Sequence, residues 1–274
     1  MNKSLIWAAL CLWVFSCTSV NEEQNQRLSY GLVWSDEFDF PVSGSPDATK
    51  WNITVGDGCP HICGWGNNEL QYYTDKSENV RVENGKLILQ LHADSIGTRG
   101  FSSGKITSKG KGFWKYGKIE VKAKLPSTLG SWPAIWMMPE ERRYGNWPQC
   151  GEIDIMENVG YNPDSVLSTV HTGSYNHQLG TQKGGIIYLP DCDEEFHVYS
   201  LEWKEDLLKF FVDDTEIFTY DNEKKTSDEW PFDQPFHLIL NIAFGGNWGG
   251  LKGVDASELP IQMEIDYVRV YQYL

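Results

Sequence analysis

Residues 151–158 read Gly-Glu-Ile-Asp-Ile-Met-Glu-Asn, GEIDIMEN in one-letter code. In a β-strand, residues i and i+2 share a face. Glu152 and Asp154 therefore point one way, and Ile153 and Ile155 point the other way, into a core. Glu157 falls on the apolar face if the strand is regular. One extra residue, absorbed as a β-bulge at Met156, returns it to the acidic face, and bulges recur beside active sites. Carboxylates packed on one face of an otherwise apolar strand repel one another and cost stability, which points to a use. Alone, such a stretch is more often a solvated edge strand, with a calcium site as the other plain reading, so the rest of the chain decides.

Outward from this strand, most segments alternate with period two and end in Gly, Pro, Asp or Asn. Over 118–125, Ile119, Val121, Ala123 and Leu125 form one face and Lys118, Glu120, Lys122 and Lys124 the other, a half-buried strand with a solvated side. Strands are expected at 86–93, 166–171, 196–203, 236–244 and 262–273 as well. Those at 207–212 and 216–220 flank Asp213-Asp214-Thr215 as a hairpin. No helix longer than a turn or two is expected. Many short strands with closely spaced turn signals predict an all-β sandwich or jelly roll of antiparallel sheets. A jelly roll with one curved sheet presents a concave cleft long enough for a polymer.

The chain has 274 residues. Lys3, the apolar run 5–15 and then Ser16-Cys17 have the pattern of a signal peptide over 1–16, too short to span a membrane. Val14-Phe15-Ser16-Cys17 resembles a bacterial lipobox, in which the cysteine becomes the lipidated first residue. Residues 17–30 then form a lipid-bearing tether and 31–274 one large domain. The expectation is an exported outer-membrane lipoprotein, with plain secretion as the runner-up and the lipid as its sole membrane contact. Loss of Lys3 takes the formal charge from −15 to −16, since 22 basic residues then face 38 acidic ones. Such a chain repels nucleic acid and other polyanions and favours neutral ligands.

Cys59, Cys63, Cys150 and Cys192 remain, with three possible pairings. Cys59–Cys63 and Cys150–Cys192 are the expected disulfides, and four free thiols the alternative. The segment Cys59-Pro60-His61-Ile62-Cys63 offers zinc too few ligands at poor spacing. The chain also carries 12 Trp, 13 Tyr and 12 Phe, more than a core needs, and such rings suit stacking on sugars.

GEIDIME at 151–157 resembles the signature of glycoside hydrolase family 16. Six more stretches agree with it in order: WSDEFDF at 34–40, WGNNELQYYT at 65–74, GSWPAIWMMP at 130–139, FHVYSLEW at 196–203, FGGNWGG at 244–250 and EIDYVRVYQ at 264–272. The resemblance implies a concanavalin A-like β-jelly roll and a retaining endo-hydrolase of β-linked polysaccharide, and a monomer is expected. Glu152 matches the nucleophile, Glu157 the general acid/base and Asp154 the residue that holds the nucleophile's geometry and charge. With a bulge, the two glutamates lie about 13 Å apart along the strand at Cα. Leaning side chains close that to about 5–5.5 Å between carboxyl groups, as a retaining glycosidase requires. Trp132, Trp136, Trp248 and Asn68 match cleft positions that meet sugar. His171 is expected near Glu157. Read alone, the tryptophans would be core, Asn68 ordinary turn chemistry and His171 a structural strand histidine. No cofactor is expected for catalysis. A structural calcium is implied at Glu37, Gly85 and Asp266, for which solvated acids are the plain alternative.

The extra Met156 resembles the laminarinase branch, so the expected substrate is β-1,3-glucan or mixed-linkage β-1,3/1,4-glucan. A red-algal galactan is the competing substrate, weakly opposed by the acidic chain but allowed by Arg99, Arg142 and Arg143 as an anion site. A non-catalytic carbohydrate-binding lipoprotein and a transglycosylase are the other readings, because fold alone does not settle function.

Overall fold

The structure, a computed structural model, describes residues 30–39 and 44–274. The expected signal peptide, Cys17 and all of the expected tether but Tyr30 lie outside the described residues. Tyr30 opens the first strand, and its hydroxyl is 2.8 Å from that of Tyr273 on the last.

Two antiparallel sheets enclose one core. The first runs Thr215–Asp221, Leu207–Val212, His197–Trp203, Gly117–Lys124, Ile261–Tyr273, Lys86–Leu91 and Val80–Glu83, with Tyr30–Asp36 also paired to Ile261–Tyr273. The second runs Lys183–Tyr188, Ser165–His171, Glu152–Glu157, Ser131–Pro139, Phe236–Phe244, Lys105–Thr107 and Asn52–Ile53, with Phe113–Trp114 also paired to Phe236–Phe244. Chain neighbours Gly117–Lys124 and Ser131–Pro139 sit in opposite sheets, the crossing that makes a sandwich a jelly roll. Among the described residues the helical structure is one 3-10 turn, Cys63–Gly66.

The alternation predicts the layers. Ile119, Val121 and Ala123 are fully buried between the sheets, each large side chain there contributing about 1.5–3 kcal/mol by burial. The opposite face of that strand carries ion pairs, Lys118–Glu120 at 2.7 Å, Lys122–Asp266 at 2.8 Å and Lys124–Glu264 at 3.0 Å. Phe236–Phe244 is buried along its whole length. Phe236, Leu238, Leu240, Ile242 and Phe244 fill the core, and His237, Ile239, Asn241 and Ala243 lie on the other face. That second face is the floor on which the acidic strand stands.

One expectation is corrected. Cys59 and Cys63 are bonded, but among the described residues Cys150 and Cys192 are free, and both are buried. The Cys150 thiol points to the Gly151 carbonyl and the Cys192 thiol to that of Pro163. Burial pushes these thiols up to about 11 and about 12, which leaves them unreactive. The implied calcium ligands are committed elsewhere. Glu37 accepts two hydrogen bonds from Arg269, at 3.0 and 2.7 Å, and Asp266 pairs with Lys122. Asn84 and Gly85, both at positive φ, turn Val80–Glu83 into Lys86–Leu91, so that glycine serves the hairpin. Carboxylates already neutralised by Arg and Lys do not fit a calcium ion, which needs several uncommitted oxygens.

Candidate active site

The bulge exists, one residue earlier than expected. Against Ser131–Pro139, Glu157 pairs with Ala134 and Met156 with Ile135, but Asp154 pairs with Trp136, so Ile155 is the residue left over. On the other side Asp154 faces Thr169 and Glu157 faces Leu167. Ile155 and Met156 both turn into the core, each fully buried. The carbonyl of Ile155, removed from the ladder, accepts a 2.8 Å hydrogen bond from the Ser168 hydroxyl. A distortion satisfied in this way costs little. Its product is one face with half-buried Glu152 and Glu157 at its ends and buried Asp154 between them.

All three carboxyls are held above the ordinary carboxylate range. Burial is the largest cause for each, and for Glu152 and Asp154 the charge of Glu157 adds to it. The three titrate as one coupled set. Their hydrogen-bond partners differ. Trp132 Nε1 donates to Glu157 Oε1 at 3.0 Å. Asp154 and the Trp147 N–H, both beside Glu152, favour the Glu152 anion.

Around the acids the floor has two unlike flanks. On the side of Phe236–Phe244, Trp136 Nε1 donates to Asn241 Oδ1 at 2.6 Å, and Asn241 Nδ2 donates to the Tyr73 hydroxyl at 3.1 Å. The ammonium of Lys105 lies 4.3, 5.1 and 5.5 Å from the ring centroids of Trp65, Trp136 and Tyr73. Burial lowers it to about 8, opposed by the charges of Glu69 and Glu152. On the side of Ser165–His171, the His171 and His177 rings meet edge-on at 5.3 Å, and Trp147 lies 4.9 Å from His177.

Trp132, Trp136 and His171 therefore converge on the acids as expected, with one change. His171 pairs with Glu152, not Glu157, and its Nε2 lies 3.4 Å from Asp154 Oδ2. Trp248 stands edge-on to Trp132 at 5.2 Å. Asn68 is exposed at φ 57°, and its amide donates to Asn247 Oδ1 at 2.8 Å. With Asn247 N to Asn67 O at 2.7 Å, this clasps the loop carrying Trp65 to the loop carrying Trp248. Gly246 must be glycine there, since a Cβ would come within 2.8 Å of the Asn67 carbonyl. Arg99 is bound to Asp57 and to the Glu69 carbonyl, both at 2.9 Å, and is not a free anion site.

The sequence reading missed Trp147, His177, Lys105, Trp65 and Tyr73. Trp147 carries a faint signal, a tryptophan five residues before Glu152 in a polar loop. Lys105 carries none, because strand alternation makes it one more outward lysine.

The family sequence model named "Glycosyl hydrolases family 16" matches residues 67–269. The chain belongs to that family. Among its relatives is the "Beta-glucanase" of Rhodothermus marinus, 48% identical over 270 residues, covering 95% of this chain and 92% of the relative. Of solved family 16 structures, the laminarinase from Rhodothermus marinus superposes with a TM-score of 0.85 at 50% identity, covering 90% of this chain and 98% of that one. SCLam, described as a non-specific endo-β-1,3(4)-glucanase, does so with a TM-score of 0.83 at 47% identity, covering 89% and 92%. The jelly-roll sandwich is the fold these family 16 enzymes share with this chain.

Proposed function

We propose that this chain is an endo-hydrolase of β-1,3-glucan and mixed-linkage β-1,3/1,4-glucan that acts with retention of configuration. The observation that carries the reading is the bulged strand, which returns Glu157 to the face of Glu152 across a buried acid. The substrate class is supported by the relatives. The Rhodothermus marinus enzymes are a beta-glucanase and a laminarinase, and a SCLam mutant is described with 1,3-β-D-cellobiosyl-glucose at its active site.

In the mechanism, protonated Glu157 donates to the glycosidic oxygen while Glu152 attacks the anomeric carbon, giving a glycosyl ester and a free sugar hydroxyl. Asp154, Trp147 and Lys105 all favour the Glu152 anion, whereas Trp132 is the one hydrogen-bond donor to Glu157 among the described residues. These neighbours support Glu152 as nucleophile and Glu157 as acid, against burial and the charge of Glu157, which still raise Glu152 to about 8 and so above Glu157 at about 7. Once the ester forms, Glu152 carries no charge, so Glu157 no longer resists ionisation and takes a proton from the incoming water. Water then attacks the anomeric carbon and releases Glu152. Trp136 and Trp248 offer faces for sugar rings, and Asn68 acts through the loop clasp.

The test is product analysis on laminarin, barley β-glucan and agarose. The first two should yield oligosaccharides whose new reducing ends appear first as the β-anomer by proton NMR. Products from agarose alone, or sugar binding without new reducing ends, overturn the assignment. Products longer than the starting oligosaccharides would mark a transglycosylase.

Calcium has no place in this reading. EDTA is expected to leave the melting temperature unchanged, whereas a fall of several degrees would mean that Glu37 and Asp266 exchange their cationic partners for the ion.

Export as a lipoprotein completes the proposal and rests on residues 1–17 alone. Radiolabelled palmitate fed to an expressing bacterium should enter the protein and be lost in Cys17→Ser. Equal labelling of both forms would overturn the lipobox.

A further inference from the structure

Glu152, Asp154 and His171 each offer one ligand atom, and these atoms lie within 4.8 Å of one another. Asp154 and His171 are 2% and 6% exposed. Among the described residues, Asp154 Oδ2, which faces the His171 ring, has no hydrogen-bond partner, and neither does His171 Nδ1. A buried polar atom left in this way normally costs stability and calls for a reason. The catalytic steps above use none of these free positions.

We propose that Glu152, Asp154 and His171 form a binding site for a borderline divalent metal ion, with zinc as its probe, and that occupancy inhibits the enzyme. Two ligands about 2.1 Å from a tetrahedral zinc are about 3.4 Å apart. Asp154 Oδ2 and His171 Nε2 are 3.4 Å apart already. Glu152 closes the remaining gap by rotating its carboxylate, and the fourth position faces the cleft. The imidazole selects the metal. Calcium and magnesium require sets of oxygen ligands, whereas zinc and copper accept mixed nitrogen and oxygen. A doubly charged ion also removes the repulsion among acids held on one face. Because Glu152 is a ligand, the ion and the sugar compete. The rival site is His197 on the other sheet, between Asp213 at 2.8 Å and Asp191 at 3.3 Å.

The experiment titrates zinc chloride into the wild-type chain and the Asp154→Asn, His171→Asn and His197→Asn variants, by calorimetry and thermal melting. Both readouts are independent of the substrate assignment. Wild type and His197→Asn should each bind a single zinc and melt several degrees higher. Asp154→Asn and His171→Asn should bind at least about tenfold more weakly. Laminarin oligosaccharides should weaken zinc binding to the wild type, and millimolar calcium or magnesium should not replace zinc. Circular dichroism identifies a variant that fails to fold, and the other then decides. Undiminished binding in His171→Asn or Asp154→Asn, loss of binding in His197→Asn, or no binding at about 1 mM zinc overturns the proposal.

Discussion

Glu152→Gln is expected to lower laminarin hydrolysis by about 10⁴-fold or more, as removal of a nucleophile does elsewhere, without unfolding the chain. The amide keeps the shape of the carboxyl but cannot form the glycosyl ester, so the route through the covalent intermediate closes. Stability should move the other way. Burial holds Glu152 and Glu157 well above the 4.5 of an ordinary glutamate, at about 8 and about 7 respectively. The folded protein therefore binds more protons than the unfolded chain between about pH 4.5 and 8, and its stability falls as pH rises through that window. Melting at pH 8 should be higher in Glu152→Gln than in wild type, and the difference should vanish near pH 5. Hydrolysis measured beside the melting curve checks both halves. An active variant, or one equally destabilised at both pH values, refutes the assignment.

Glu157→Ala is expected to lose about 10²- to 10⁴-fold on natural glucan, the contribution of a positioned general acid. The loss should be far smaller on an aryl glycoside, whose leaving group needs no proton. Azide separates the two glutamates. In Glu157→Ala the ester still forms, azide needs no general base, and a second displacement gives the β-glycosyl azide. In Glu152→Ala azide replaces the missing carboxylate, and a single displacement gives the α-glycosyl azide. NMR of the products distinguishes them. The reverse pattern would exchange the roles of the two residues, and no azide product from either would remove the covalent mechanism.

The fold was legible because sheet alternation is written locally. Ile119, Val121 and Ala123 against Lys118, Glu120 and Lys122 can be assigned to faces from spacing alone, and the structure places them so. The need for a bulge was legible too, since Glu157 would otherwise lie in the core. Its position was not. Met156 and Ile155 are equally apolar, and the choice depends on which carbonyl Ser168 can reach from the next strand. Cys150 and Cys192 paired on paper because cysteine counts carry no geometry. The ion pairs of Glu37 and Asp266 were hidden for a related reason, because Arg269 and Lys122 reach those carboxylates across strand pairings that spacing does not reveal.

By itself the sequence determined which residue types are present and which face of its own strand each occupies. That was enough for an all-β sandwich with glutamates at both ends of one acidic face. Tertiary structure decided what stands opposite that face. His171 came to Glu152, Trp147 came from a loop, and Lys105 came to rest among Trp65, Tyr73 and Trp136 from three other segments. The physical reason is range. Alternation is set by the backbone over two residues, whereas the charge and solvation of a buried carboxylate are set by every group within a few ångströms, wherever in the chain it originates.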